Sequence, residues 1–171
     1  MQNIFSYPLI VEDISPQEKK YTLKASKEDL AYLKEALKIP DVKSFEAVIF
    51  TKLHKKEHRL EVWGKIKTCL ELQSVVSLDY FSKSYEPEFK LNFNTKMSYK
   101  EQKELEKTGM ENIPDIIING KIDLVDIAIE QIALNIEDYP RKAGETFVYK
   151  QEFDPNSDRK NPFEVLAKLK K

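Results

Sequence analysis

Two histidines four residues apart are the first candidates for chemistry in this sequence of 171 residues. On a helix, the spacing of His54 and His58 would place both imidazoles on one face, where they could hold a metal ion. Their surroundings, LHKKEHRL, are basic, and the chain contains no third histidine. Because an open zinc site usually takes three protein ligands, the pattern favours a solvated turn between two strands.

The one cysteine, Cys69, alternates with Thr68 and Leu70 in a strand pattern. A catalytic thiolate needs an electropositive, partly exposed pocket and a nearby base, and the pattern places neither histidine beside it. Free cysteine is commonly buried as a small hydrophobic side chain, so we expect a structural role. A single cysteine also excludes an internal disulfide and is typical of proteins in the reducing interior of a cell.

Three carboxylates, those of Asp123, Asp126 and Glu130, could hold Mg²⁺ or act as general acid and base. The simpler interpretation makes Asp123 a helix N-cap, Asp126 a first-turn acid favoured by the helix dipole, and Glu130 part of a solvated face. The four glycines of the chain form no phosphate-binding loop. We therefore expect no metal, no cofactor and no enzymatic activity, and a magnesium-dependent nuclease is the least favoured alternative.

Basic side chains form a second kind of candidate site. Lys65 and Lys67 share a predicted strand face with Trp63, so this face could meet RNA through phosphate contacts and base stacking. Surface lysines are also what any soluble protein carries, which leaves a solvated face as the alternative. With 28 Lys plus Arg against 29 Asp plus Glu, the formal charge is -1, which argues against a uniformly basic nucleic-acid coat.

Hydrophobic periodicity predicts the elements that position these residues in the first half of the chain. Residues 4–14 form a β-rich run, and Tyr21–Lys24 forms a second short strand. Ser26 is a good N-cap for a helix, with Asp29 completing a weaker form of the capping box. This helix must end before Pro40, because the residue ahead of a proline is disfavoured in the α region.

In the second half, the period first falls to two and then returns to that of a helix. Residues 42–93 predict a large antiparallel hairpin within a meander, with Gly64 at a bulge or a close backbone approach. Residues 95–112 form a mobile loop or a short exposed helix, and 115–119 a strand. Asp123 then caps a second helix whose broad apolar face begins at Leu124 and indicates burial against the sheet.

These elements predict one α+β domain over residues 1–150, built from an antiparallel β-sheet or partly closed meander with two packed helices. Residues 151–171 form an extended C-terminal arm with a short amphipathic helix. No apolar run approaches the roughly 20 residues needed to cross a bilayer, and the first residues lack the pattern of a secretion signal. We expect a soluble, cytoplasmic protein.

Four peptides carry a resemblance to a known family: FSYPLIVEDI, VWGKIKTCLELQSVVSLDYF, NGKIDLVDIAIEQIALNIEDYPRKAG and NPFEVLAKLK. Each is moderately specific alone. In their order and separation they resemble the bacterial YceD family, also called the large ribosomal RNA subunit accumulation family, in the form found in alphaproteobacteria. The resemblance covers nearly the whole chain.

The resemblance implies a cytoplasmic, non-enzymatic factor in large ribosomal subunit biogenesis that supports the synthesis, processing or stability of 23S rRNA. The implied partner is large-subunit rRNA or a ribosomal assembly particle, and a ribosomal protein is a further candidate. No membrane and no small-molecule substrate are expected. The near-neutral charge favours a composite partner over naked RNA. A protein–protein adaptor without RNA contact is the main alternative.

Carried onto this chain, the family pattern marks Gly64, Gln73, Leu78, Asp123, Leu124, Glu130, Gln131, Leu134, Tyr139, Pro140, Arg141, Asn161, Pro162 and Phe163. We expect Gln73 to satisfy buried backbone groups where the hairpin twists. A buried Tyr139, together with Pro140, is expected to close the second helix against the sheet. Ser74 stands where many relatives have cysteine, so no thiol chemistry operates at that position.

Four residues are the candidate contacts to RNA or to another partner: Lys65, Lys67, Arg141 and Lys142. Arg141 is the strongest of these, because its guanidinium can engage two phosphate oxygens and it follows a rigid turn.

Overall fold

The computed structural model describes residues 4–146. Within this range the strands are β1 (Pro8–Ile10), β2 (Lys19–Lys24), β3 (Asp41–His54), β4 (Arg59–Gln73), β5 (Tyr80–Tyr85), β6 (Glu88–Asn94), β7 (Asp115–Ile116) and β8 (Lys121–Asp123). The α-helices are α1 (Lys27–Leu37), α2 (Tyr99–Lys107) and α3 (Leu124–Asn135). The predicted α+β class is confirmed. The arm expected over 151–171, with Pro162 and Phe163, lies outside the described residues.

Six strands form one sheet in the order β2–β3–β4–β6–β7, and β5 also pairs with β4. The long hairpin of β3 and β4 within a meander is confirmed. Its return strand comes in two pieces, since β6 pairs with the first half of β4 and β5 with the second. The return strand is interrupted at Glu86 and Pro87. Even there, the Pro87 carbonyl accepts a 3.0 Å hydrogen bond from the Ile66 amide.

The strands at both ends of the fold are shorter than the sequence indicates. In the run 4–14, only β1 pairs, with β8, and a 3₁₀ turn over Val11–Asp13 follows it. The strand expected over 115–119 is reduced to β7, which pairs with β6 in parallel. Asn119 and Gly120 have φ of 56° and 66°, and this left-handed pair turns the chain back into β8.

The helices begin where the capping residues indicate. Ser26 and Asp29 form a full capping box at α1, with the Ser26 amide 2.8 Å from an Asp29 carboxylate oxygen. α1 ends before Pro40, as predicted. α2 has no buried residue, so the exposed-helix alternative for 95–112 is correct. None of the described helices is long and apolar enough to cross a membrane.

The hydrophobic core lies between one face of the six-stranded sheet and helices α1 and α3. The fully buried side chains come from alternate positions of the long strands and from both helices, and include Leu33, Ile49, Ile66 and Leu124. On the opposite side of the sheet, which we call the outer face, none of the described side chains of β2, β3, β4 and β6 is fully buried. A sheet with one covered and one solvated face is typical of antiparallel strands.

Gly64 lies where two backbones come close. A Cβ at this position would lie 2.2 Å from the Val48 carbonyl oxygen and 2.9 Å from the Ile49 Cα. The predicted close approach is therefore present, but the bulge is elsewhere, between Val42 and Ser44 in β3.

Candidate partner-binding surfaces

The turn after β4 meets the segment after α3, and we call this contact the turn–tail junction (residues 73–80 and 139–145). Ser74 is fully buried at its centre; its hydroxyl accepts from the Ser77 amide at 3.3 Å and donates to the Glu145 carboxylate. The Val75 amide donates to the Pro140 carbonyl at 2.9 Å. These bonds hold residues 140–145 against the turn after β4, although the bonded residues Ser74 and Glu145 are 71 positions apart in sequence.

Three charged residues of the junction, Asp79, Lys142 and Glu145, have partners within it. The hydrogen bond from Ser74, followed by contacts with Ser77 and the Lys142 amide, lowers the pKa of the Glu145 carboxyl. The Lys142 ammonium lies 2.7 Å from a carboxylate oxygen of Asp79. Lys142, predicted as a partner contact, is therefore engaged within the junction.

Gln73 has a structural role, although not in the buried setting that the sequence indicated. Its side-chain amide donates to the Leu78 carbonyl at 2.9 Å, and Gln73 itself is exposed. Leu78 has φ of 62°, a left-handed conformation that costs energy in a leucine. Gln73 thus stabilises an exposed, strained turn.

The prediction that Tyr139 is buried against the sheet is wrong, because its side chain is 72% exposed. α3 already ends at Asn135, and the part of this turn that packs is the Pro140 carbonyl on the Val75 amide. Leu78 and Tyr80 are also exposed, at 67% and 61%. All three residues belong to the turn–tail junction, and a contiguous patch of exposed apolar side chains is typical of a surface that binds a partner.

Arg141 lies on the same surface and is exposed. Within residues 4–146 its guanidinium forms neither a salt bridge nor a side-chain hydrogen bond. Of the two neighbouring cations, Arg141 is therefore the one available to a partner, because Lys142 is held by Asp79.

Lys65 and Lys67 lie on the outer face and are separate from the junction. Lys65 lies 3.1 Å from Glu86 and 3.6 Å from Glu88, and its hydrogen bond with Glu86 raises the pKa of the lysine. Lys67 is exposed. At roughly 3.3 Å per strand residue, Lys67 is about 20 Å from Gln73, so the four predicted contacts form two surfaces.

The centre of the outer face holds two aromatic side chains. Phe50 on β3 and Trp63 on β4 are register partners, and their rings are nearly parallel, 11° apart in orientation with centroids 5.6 Å apart. Lys20 pairs with Phe50 from β2, and Lys90 pairs with Trp63 from β6. Of these four residues the sequence indicates only Trp63 as a candidate contact, because cross-strand register joins residues that are far apart in sequence.

Asp123 is a structural residue, as its capping pattern predicts. Its carboxylate accepts from the Val125 amide at 2.8 Å and from the Tyr7 amide at 3.0 Å, which ties α3 to β1. Leu124 beside it is fully buried. Burial, reinforced by the charge of Asp123, raises the pKa of Asp126.

The two histidines lie at the β3–β4 turn that the sequence predicted. His54 ends β3 and its Nε2 is 3.4 Å from a Glu61 carboxylate oxygen, while His58 follows a 3₁₀ turn with φ of 50°. Over the described range, no group of three or more His, Cys, Asp or Glu side chains is placed to hold a metal ion.

Comparison with known proteins gives one match. No curated protein and no solved structure matches the sequence. A family model described as large ribosomal RNA subunit accumulation protein YceD matches residues 62–170, which include most of β4, the turn–tail junction and α3. Since this match covers more than half of the chain, the protein belongs to the YceD family.

Proposed function

We propose that this protein is a non-enzymatic, cytoplasmic factor in large ribosomal subunit biogenesis that supports the synthesis, processing or stability of 23S rRNA. Membership of the YceD family supports this assignment, since the family description names accumulation of the large ribosomal RNA. The partner is an assembling large-subunit particle, contacted through its rRNA or a ribosomal protein.

The observation that supports a recognition role is that the residues which hold the turn–tail junction together do not include Arg141. Ser74, Glu145 and Lys142 hold the backbone in place, and none of these bonds uses Arg141. The junction therefore presents, from a fixed backbone, a guanidinium that has no partner among residues 4–146. Such a group can bind a phosphate or a carboxylate through two parallel hydrogen bonds, with little loss of backbone entropy.

The test is to replace Arg141 by Ala in cells and to measure both co-sedimentation with large-subunit precursors and the level of 23S rRNA. A hydrogen bond to a charged group contributes about 1.5 to 3 kcal/mol, so association should weaken by roughly 10- to 100-fold. The melting temperature should not change, because Arg141 has no partner within the described residues. Lys100→Ala, which removes an exposed charge from α2, is the control. Unchanged association in Arg141→Ala would exclude this residue as a contact.

A protein–protein adaptor is the second candidate, and the exposed apolar side chains around Arg141 favour it. Leu78→Asn is a suitable probe, because asparagine tolerates the left-handed conformation and removes the apolar contact. An adaptor predicts that Leu78→Asn abolishes particle association and that association responds little to salt. Contact with rRNA predicts a steep decrease with salt, because phosphate contacts release counterions.

The non-enzymatic assignment has a direct test. Purified protein is incubated with precursor rRNA in the presence of Mg²⁺, with and without a chelator. We expect intact RNA in both reactions. Cleavage that the chelator abolishes would support the nuclease alternative.

A further inference from the structure

We propose that the outer face binds unpaired RNA, with bases stacking at Phe50 and Trp63 and phosphates contacting Lys20 and Lys90. This inference rests on the proposed function and names the chemistry of one partner, a single-stranded segment of RNA. The site is distinct from the turn–tail junction.

The geometry comes from the register of four neighbouring strands. Lys20, Phe50, Trp63 and Lys90 are successive cross-strand partners, and partners in register project from the same side of a sheet. Adjacent strands are about 4.8 Å apart, so the two lysines flank the aromatic pair on both sides. The result is a row in which a cation, two rings and a second cation follow one another.

This row is accessible to a large ligand. Among the described residues on the outer face of β2, β3, β4 and β6, none is fully buried. Phe50 and Trp63 are half-buried, since each covers part of the other. An open hollow of about 390 Å³ lies further along the same face. Its lining includes Thr22, Val48, Lys65 and Lys67 and the ion pair of Lys24 with Glu46. A base that leaves the stack has room to lie there.

The charge of the row favours an anion. Glu46 on this face is paired with Lys24 at 3.3 Å, and Glu61 is paired with Arg59 at 2.9 Å and lies 4.0 Å from the Lys90 ammonium. Lys20, Lys52 and Lys67 form no salt bridge with any described residue. The outer face therefore carries unneutralised positive charge in a protein whose formal charge is -1.

Some of the acidic side chains that balance this charge line a cleft between α2, β7, β8 and α3. Asp115, Asp123, Asp126 and Glu130 line that cleft, and Lys121 is the one cation among the described residues that line it. These carboxylates lie away from the aromatic row, whereas Glu46 and Glu61 on the outer face are each paired with a cation. Stacking on aromatic rings combined with a basic groove is the general mode of binding for single-stranded nucleic acids.

A purely structural role for the aromatic pair is the competing interpretation, because cross-strand aromatic pairs stabilise sheets. An acidic protein surface is the other occupant that the lysines could accept. Neither alternative involves stacked bases, so a signal that depends on base stacking distinguishes the proposal from both.

Trp63 is the one tryptophan of the chain, so its fluorescence reports directly on the row. The full-length protein is titrated with a 12-nucleotide oligouridine, with an RNA duplex of the same length, and with inorganic polyphosphate. Oligouridine should quench Trp63, because bases stack on the indole. Polyphosphate should bind through charge without quenching, and the duplex should not quench because its bases are already stacked.

Substitutions separate stacking from charge. Loss of a stacking ring typically weakens binding by roughly 5- to 100-fold, which we expect for Phe50→Leu in fluorescence titrations and for Trp63→Leu by anisotropy of labelled RNA. Trp63→Phe keeps a ring and should restore binding. The double variant Lys20→Gln/Lys90→Gln should flatten the log–log salt dependence by about 1.4, or 0.7 for each phosphate contact. Lys100→Gln/Lys107→Gln removes the same charge from α2 and should change neither quantity.

Two results would overturn the proposal. One is equal binding of oligouridine and polyphosphate with no change in Trp63 fluorescence, which would leave only a charged surface. The other is no oligouridine binding at all in low salt. Neither result would affect the proposed function, because Arg141→Ala measures particle association at the turn–tail junction independently.

Discussion

Gly64→Ala tests how tightly the two long strands approach each other. The added methyl carbon would lie 2.2 Å from the Val48 carbonyl oxygen, more than 1 Å closer than the 3.4 Å at which ordinary contact begins. The obstructing atoms belong to the backbone of β3, which is paired on both sides. The clash cannot be relieved by rotating a side chain, so the strands must separate.

The expected cost follows from three contributions. Separation weakens about two ladder hydrogen bonds, each worth roughly 1 kcal/mol. Overpacking a close-packed region adds about 1 to 3 kcal/mol. Alanine recovers about 0.5 to 1 kcal/mol, since glycine is entropically unfavourable in a strand. The free energy of unfolding should therefore fall by about 2 to 4.5 kcal/mol, which lowers the melting temperature of a protein of this size by roughly 5 to 15 °C.

Urea and thermal unfolding followed by circular dichroism measure both quantities. Gly109→Asn is the matched control, because Gly109 has φ of 72° and no atom within 4 Å of its added Cβ, and asparagine tolerates that conformation. The control should unfold within about 0.5 kcal/mol of the parent protein, as a neutral surface change does. If Gly64→Ala is as stable as Gly109→Asn, the close approach of β3 and β4 has no energetic importance.

Three further experiments test α3 and the turn–tail junction. Ile132→Ala should lower the free energy of unfolding by about 2 to 5 kcal/mol, whereas Glu130→Ala should change it little; equal effects would mean that another face of α3 is buried. Asp123→Ala should cost about 0.5 to 2 kcal/mol in urea unfolding through loss of the cap, and a neutral result would contradict the capping role. Because the pKa of Glu145 is lowered in the folded protein, its bond to Ser74 contributes at neutral pH and is lost as the pH falls through that lowered value. The amide resonance of Val75 should therefore shift on acidification in the parent protein, and this transition should be absent in Glu145→Ala.

The parts of the fold that the sequence predicts are those governed by local chemistry. Ser26 and Asp123 could be identified as caps because their effect depends on amides within three residues. The long hairpin was predictable because alternation persists over both strands. β5 was not, since the sequence YFSKSY has a weak alternation and its pairing depends on where Pro87 interrupts the return strand.

The candidate surfaces were predictable only in part, because they depend on contacts between distant residues. Arg141 was chosen for its chemistry and is exposed, as a contact must be. Lys142 has similar chemistry, but Asp79, 63 residues earlier, binds it. In the sequence, Ser74 is notable only because it replaces a cysteine of many relatives, yet it is the buried centre of the turn–tail junction. A serine that opens a turn is a known local signal, but its bond to Glu145 has no signature in the sequence.

β4 contributes both to stability and to the proposed binding, because one of its sides packs in the core and the other lies on the outer face. Val62 and Ile66 point into the core and are fully buried, while Trp63 and Lys65 point to the outer face. A slip of one residue in register would exchange these sets, so pairing with β3 on one side and β5 and β6 on the other must fix the register. Substitutions at the outward positions should thus change binding without unfolding the protein, and those at the inward positions should do the reverse.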